Sequence, residues 1–233
     1  MGGIVPLALA TFAFVGSHLL LSHPLRPGLV ARVGEKGFLA IYVLVAWVTF
    51  IPLVWMRYTV ADDRLFWVAP VWAWDLTTLL MLLASILLVG SMRGNPAMPN
   101  PGGAQGTIGD PTGVFAITRH PMLWSFILWA LLHIWLWGSP ANLIVAGGVL
   151  ILSLAGAIGQ DAKKLRLQGE RWRSWMDRTA FLPFAGQISG RIPWRVIAPG
   201  WRPILIGTVI WLLASWAHPL LGGPEVGIWR WIG

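Results

Sequence analysis

The sequence predicts an all-α, polytopic integral membrane protein, with six transmembrane helices and an amphipathic surface helix between helices five and six. Three observations lead there. Apolar residues make up 56% of the 233 and charged ones only 11%, against about 25% charge in a water-soluble domain. The apolar residues fall in blocks near the length of about 20 residues that crosses a hydrocarbon core. Cations then gather in alternate connections between those blocks, as the positive-inside rule requires. The whole chain, 1–233, reads as a single transmembrane domain.

The first span covers 4–21, with Pro6 in a first turn where its missing N–H is harmless. No basic segment precedes it and no small-residue cleavage site follows it, so it reads as a retained span. His23-Pro24, Pro27 and Gly28 predict an irregular connection. The second span, 38–56, contains Pro52, and the next loop holds Trp55, Tyr58, Trp67, Trp72 and Trp74, an interfacial aromatic belt. The third span, 74–90, begins beside Asp75, placed to cap the helix start.

Residues 91–117 are rich in Gly and Pro and form no long regular element. Their place directly before Arg119-His120 reads as a lid. The fourth span, 121–137, opens on Pro121 and carries His133, and a short turn leads to the fifth, 143–159. The fifth is dense in Gly and Ala, which lets another helix approach closely. From Gln160 to Ala180, Leu165, Trp172, Trp175 and Met176 recur at helical spacing among seven Lys, Arg and Glu residues, the pattern of a helix at the membrane surface. The sixth span covers 203–221, with His218 near its end.

Charge sets the topology and excludes some partners. The first, third and fifth connections hold fourteen of the seventeen Lys and Arg. That places them in the cytoplasm and both termini in the periplasm, if the membrane is a bacterial inner membrane. Cations so distributed fit a lipid bilayer with anionic lipid headgroups, and no nucleic acid is expected. With no cysteine in the chain, disulfides, thiolate metal sites and cysteine nucleophiles are excluded.

Each of the five histidines lies in or beside a predicted span. An intramembrane imidazole bonds across helices, ligates a metal or moves protons. Two that share a cavity suit haem iron, whereas zinc asks for three or four protein ligands. Simple helical rises pair His18 with His120 near the cytoplasmic face, and His133 with His218 near the other face. Arg119 either pins the start of the fourth span to lipid or clamps an anion at that helix N-terminus.

Gly16-Ser17-His18, Ser22-His23-Pro24-Leu25-Arg26, Gly34-Glu35 and Thr118-Arg119-His120-Pro121 through His133 resemble the NnrU family. These are bacterial membrane proteins associated with denitrification, related to the haem b protein 15-cis-zeta-carotene isomerase. The resemblance implies haem b, an iron bound by His18 and His133, with His120 the rival ligand and Arg119 beside the cofactor. It also implies redox or isomerase-like chemistry in nitrogen-oxide metabolism, on a small hydrophobic substrate or with a membrane redox partner. The depth reading instead sets His18 and His133 about 16 Å apart along the bilayer normal. A second, distant resemblance, to isoprenylcysteine and phospholipid methyltransferases, rests on Arg119-His120-Pro121, Asp161, Gly169, Trp172 and Trp175. It implies S-adenosylmethionine held by Arg119 and His120, although Asp161 stands where that family has Glu. A non-enzymatic assembly factor for a membrane complex is the third reading.

Overall fold

The computed structural model describes residues 3–60, 64–98 and 108–232. Among these residues the regular structure is helical, apart from one isolated bridge between Val68 and Trp137. The main helices are α1 (Ile4–Ser22), α2 (Arg26–Thr59), α3 (Val71–Ser91), a single turn α4 (Val114–Ile117), α5 (Pro121–Leu136) and α6 (Pro140–Gln168). After them come α7 (Glu170–Arg178), α8 (Ala185–Ile188), α9 (Trp201–Ala217) and α10 (Trp229–Ile232). Helices α1, α2, α3 and α6 are long and apolar enough to cross a bilayer, while α5 and α9 are apolar but shorter, at 16 and 17 residues. Their outward faces carry large exposed apolar side chains such as Phe12, Trp47, Leu79 and Ile151. The chain is a multi-pass membrane protein.

Packing follows from small residues. Helix α1 lies against α2 and α6, α5 against α3 and α6, and α9 against α3. A side chain at Gly148 of α6 would run into Thr11 of α1, and one at Gly159 into the His23 ring. On the other side of the bundle, a Cβ at Gly207 of α9 would sit 3.0 Å from the Cα of Ile86 in α3. The Gly207 carbonyl accepts from Ser85 Oγ at 2.8 Å. With no side chain between them, the two backbones come close enough for that bond.

Side chains close the expected α5–α6 hairpin. Ser139 Oγ caps α6 by accepting from the Asn142 amide at 3.3 Å. Asn142 Nδ2 in turn donates to the carbonyls of His133 (2.9 Å), which also accepts from the Trp137 amide, and of Trp137 (2.6 Å), just past the end of α5. The expected aromatic belt packs onto this hairpin: Trp67 Nε1 donates to the Trp135 carbonyl at 2.8 Å, and Trp72 lies 5.5 Å from the Trp135 ring.

The fold departs from the sequence reading at several points. The connection expected to be irregular after the first span is helical from Arg26, with Pro27 in its first turn, and breaks at Gly34, where φ is +74°. The stretch expected to be one surface helix from Gln160 to Ala180 is divided at Gly169, at φ +52°. Its first part prolongs α6. In its second part Trp172 and Trp175 are buried against Ala97 within the protein, so periodicity that suits lipid here serves an internal contact. Asp75 does not cap α3, whose N-cap is Pro70; it accepts from Trp231 Nε1 at 2.9 Å and anchors the C-terminal segment. The sixth apolar helix ends at Ala217: His218 keeps helical backbone angles, but Pro219 has no N–H to donate back to Ser215, and the chain continues as a single tighter turn, Pro219–Leu221. The middle of the expected lid, 99–107, lies outside the described residues.

Gly207→Leu is expected to force α9 away from α3 and to lower stability by about 1–3 kcal/mol, the usual effect of overpacking. Thermal unfolding in detergent, compared with Gly147→Leu, a position with open space around it, checks this.

Candidate functional site

The chain from α4 into α5 is extended at Thr118 and held on both sides. Thr118 Oγ donates to the Phe181 carbonyl at 2.6 Å, and the Arg119 amide to the Ala180 carbonyl at 2.8 Å. This fixes Arg119 and His120 at the start of α5, where Pro121 occupies the expected first-turn position. Both residues turn onto Asp161, two residues beyond Gly159 on the polar extension of α6. Arg119 Nε and Nη2 reach Asp161 Oδ2 at 2.8 and 2.7 Å. Asp161 Oδ1 accepts from His120 Nε2 at 3.0 Å and from Trp172 Nε1 at 3.1 Å. Arg119, His120 and Asp161 are all buried. Phe181 covers the group, 5.3 Å from the Arg119 guanidinium.

The second nitrogen of His120, Nδ1, faces Gln160 Oε1 at 3.1 Å, while Gln160 Nε2 donates to the Ala97 carbonyl at 3.2 Å. That second bond sets the amide's orientation, so the imidazole meets an oxygen at each of its nitrogens. Lys164 adds bonds to the Pro96 and Met98 carbonyls at 3.2 and 3.4 Å. The described arm of the expected lid is therefore tied to α6, not hinged away from it. Since Arg119 and His120 are already bonded to Asp161, the anion-clamp reading of Arg119 and the S-adenosylmethionine reading would both draw on groups that are taken.

Beside this network lies a cavity of about 460 Å³ between α1, α2, α5 and α6. Phe14, Phe50, Leu123, Phe126 and Leu152 make its apolar wall, and Ser22, His23, Gln160 and Lys163 its polar end. Gln160 belongs to both cavity and network. His18 stands in the wall with Nδ1 donating to the Phe14 carbonyl at 2.7 Å, and its Nε2 has no hydrogen-bond partner among the described residues. Phe14 at 4.2 Å and Tyr42 at 5.3 Å fix the ring's position. Burial, and then the positive fields of Lys163 and Arg166, hold His23 below the ordinary imidazole range.

His133 is not in the wall of this cavity. It donates from Nδ1 to the Trp129 carbonyl at 2.8 Å, stacks on the Trp129 ring, and lies 6.3 Å from the ring of His218. The depth pairing of His133 with His218 matches that geometry. The resemblance's pairing of His18 with His133 joins residues that the fold seats in different surroundings. His120 faces Asp161 and Gln160. Among the described residues, no group of three or more His, Asp or Glu is placed to hold a metal ion.

The profile of the NnrU family, described as "NnrU protein", matches residues 6–226. The chain belongs to the NnrU family. This NnrU protein is also similar to the 15-cis-zeta-carotene isomerase of Zea mays chloroplasts, 33% identical over 114 residues, which are 47% of this chain and 31% of that protein. The Arabidopsis thaliana chloroplast protein of the same name is 33% identical over 118 residues, 49% of this chain and 32% of the relative. The chain thus spans about a third of the length of the curated relatives it matches. No solved structure matches it.

Sequence reasoning placed Arg119, His120 and Asp161 in one motif but did not foresee that the other two both bond to Asp161. It missed Gln160, Lys163 and Tyr42 as parts of the cavity. The available signal was a lone carboxylate and a lone amide at the point where an apolar span turns cationic, which calls for partners.

Two outcomes test this account. Asp161→Asn is expected to cost about 3–5 kcal/mol, because it leaves a buried guanidinium without its counter-charge; thermal unfolding in detergent measures it. The folded chain also resists protonation of His23, so stability should fall as pH drops below about 6.5, where the unfolded chain takes up that proton. His23→Gln should flatten this decline in melting temperature measured between neutral and acid pH.

Proposed function

We propose that this NnrU protein uses the cavity between α1, α2, α5 and α6 to bind haem b and to carry out redox or isomerase-like chemistry on an apolar membrane substrate. One observation carries the reading: His18 stands in the cavity wall with one nitrogen committed to a backbone carbonyl and the other open. A metal-ligating histidine is commonly oriented by such a bond on its second nitrogen. The volume of about 460 Å³ falls within the range of roughly 300–1,000 Å³ typical of small-molecule sites. The 15-cis-zeta-carotene isomerases, by name, act on a long apolar polyene, and the aromatic and aliphatic wall suits a substrate of that character.

In this reading His18 would hold the haem iron through Nε2. Haem bound there would supply one-electron redox chemistry, tuned by its axial ligand. Tyr42 and Phe14 hold the imidazole plane, and the apolar wall excludes water. Gln160 links the cavity to the His120–Asp161 network. The setting we propose is a bacterial inner membrane, within nitrogen-oxide metabolism, with both termini periplasmic and α5 and α9 completing six spans. Arg26, Arg119, Lys163, Lys164 and Arg166 gather at one end of the bundle, in line with that orientation.

The absorption spectrum of the detergent-purified protein, produced with added hemin, tests the haem assignment. A Soret band lost in His18→Ala is expected. A band retained in His133→Ala makes His18 the ligand within this cavity, and loss in both variants restores the pairing that the resemblance implied. Absence of any Soret band, or a band indifferent to His18→Ala, would remove haem from this cavity.

A further inference from the structure

Two groups at the polar end of the cavity lack the partners that their burial calls for. The Lys163 ammonium forms no hydrogen bond or ion pair among the described residues, although its surroundings include Arg26, Lys164 and Arg166 as well as Glu35. Glu35 does not neutralise it, because both carboxylate oxygens are bonded to Arg26 Nη2, at 2.8 and 2.7 Å. His23 Nε2 is shielded from solvent and has no hydrogen-bond partner. Its ring is packed against Gly159, which leaves no room for a side chain that might serve as one. A cation without a counter-charge and a buried nitrogen without a partner are each costly unless a ligand supplies what is missing. Both stand at the same end of one elongated apolar cavity.

We propose that this end of the cavity binds the anionic head, a carboxylate or phosphate, of an amphiphile whose apolar body lies along the wall formed by α1, α2, α5 and α6. Lys163 Nζ supplies the counter-charge, and His23 Nε2–H donates to the same oxygens. The inference rests on the cavity being the ligand site, but not on haem being the ligand. The anion is either a propionate of haem or the head of a lipid-like molecule, and the chemistry at Lys163 is the same for both.

The test uses the full chain in detergent, titrated with cis-parinaric acid, a conjugated tetraene carboxylic acid, and with its methyl ester. Energy transfer from the protein's 17 tryptophans reports binding. The acid is expected to bind about tenfold tighter than the ester. Lys163→Met should abolish that preference, Lys163→Arg should keep it, and melting temperature confirms that each variant is folded. His23→Phe should reduce the preference while leaving ester binding intact. Equal binding of acid and ester, a preference that survives Lys163→Met, or no binding by folded protein would each overturn the proposal when found for this pair and for the hemin pair alike. A parallel titration with hemin and hemin dimethyl ester identifies the source. If Lys163 governs only that pair, the anion is a propionate; if it governs only the parinaric pair, the anion is a lipid-type head. Discrimination of acid from ester without a Soret band removes haem and keeps this site, and the converse result does the opposite.

Discussion

The buried carboxylate of Asp161 is the constraint on which the cationic end of this molecule depends. It receives the Arg119 guanidinium, the His120 imidazole and the Trp172 indole at 2.7–3.1 Å. Those three side chains belong to the start of α5 and to α7, and Asp161 itself to α6. Removing water from such a group is expensive, and the attraction repays it only when geometry and hydrogen bonding are complete. Here both oxygens are engaged. The result is less a gain in stability than a register: α5 can begin only where Arg119 and His120 meet Asp161, and α7 can pack only where Trp172 does.

That register shapes the cavity. Gln160 is the residue before Asp161, and it accepts from His120 while lining the cavity between α1, α2, α5 and α6. One turn before and after, Gly156 and Lys163 face the same space. On the opposite wall α1 is drawn close by Gly148 and Gly159, so His18 and His23 come to the cavity from a helix that shares no charged contact with the network. Polar bonding at one end and small-residue packing along the length thus build the cavity together. Neither would do so alone, since lipid provides no hydrophobic drive for helices to associate and close contact must supply it.

The chemistry available in the cavity differs along its axis. The middle offers an oriented imidazole, His18, among aromatic rings; the polar end offers an ammonium and an imidazole, Lys163 and His23, both without hydrogen-bond partners among the described residues. An elongated molecule with an apolar body meets the first and one with an anionic head meets both. His133 and His218, 6.3 Å apart at the far end of α5 and beyond α9, form a separate pair with no share in this cavity.

The sequence by itself determined the solvent and the element type. Blocks of apolar residues, Pro at first-turn positions and cations confined to alternate connections are local or one-dimensional facts, and they specify helices in lipid without reference to contacts. The hairpin between α5 and α6 was legible for the same reason, although α6 begins at Pro140, within the stretch the sequence reading left to the turn. Which side chains meet was decided only by tertiary structure. Asp161 lies 42 residues from Arg119, and no spacing rule says that it neutralises that arginine. The amphipathic pattern around Trp172 and Trp175 fits lipid and protein equally well, and only the packing of Ala97 against both rings chose protein. Likewise His18 and His133 carry the same local bond to an i−4 carbonyl. What separates them is the rotation of their helices about the bundle, a property that helix–helix contact sets and the order of residues does not display.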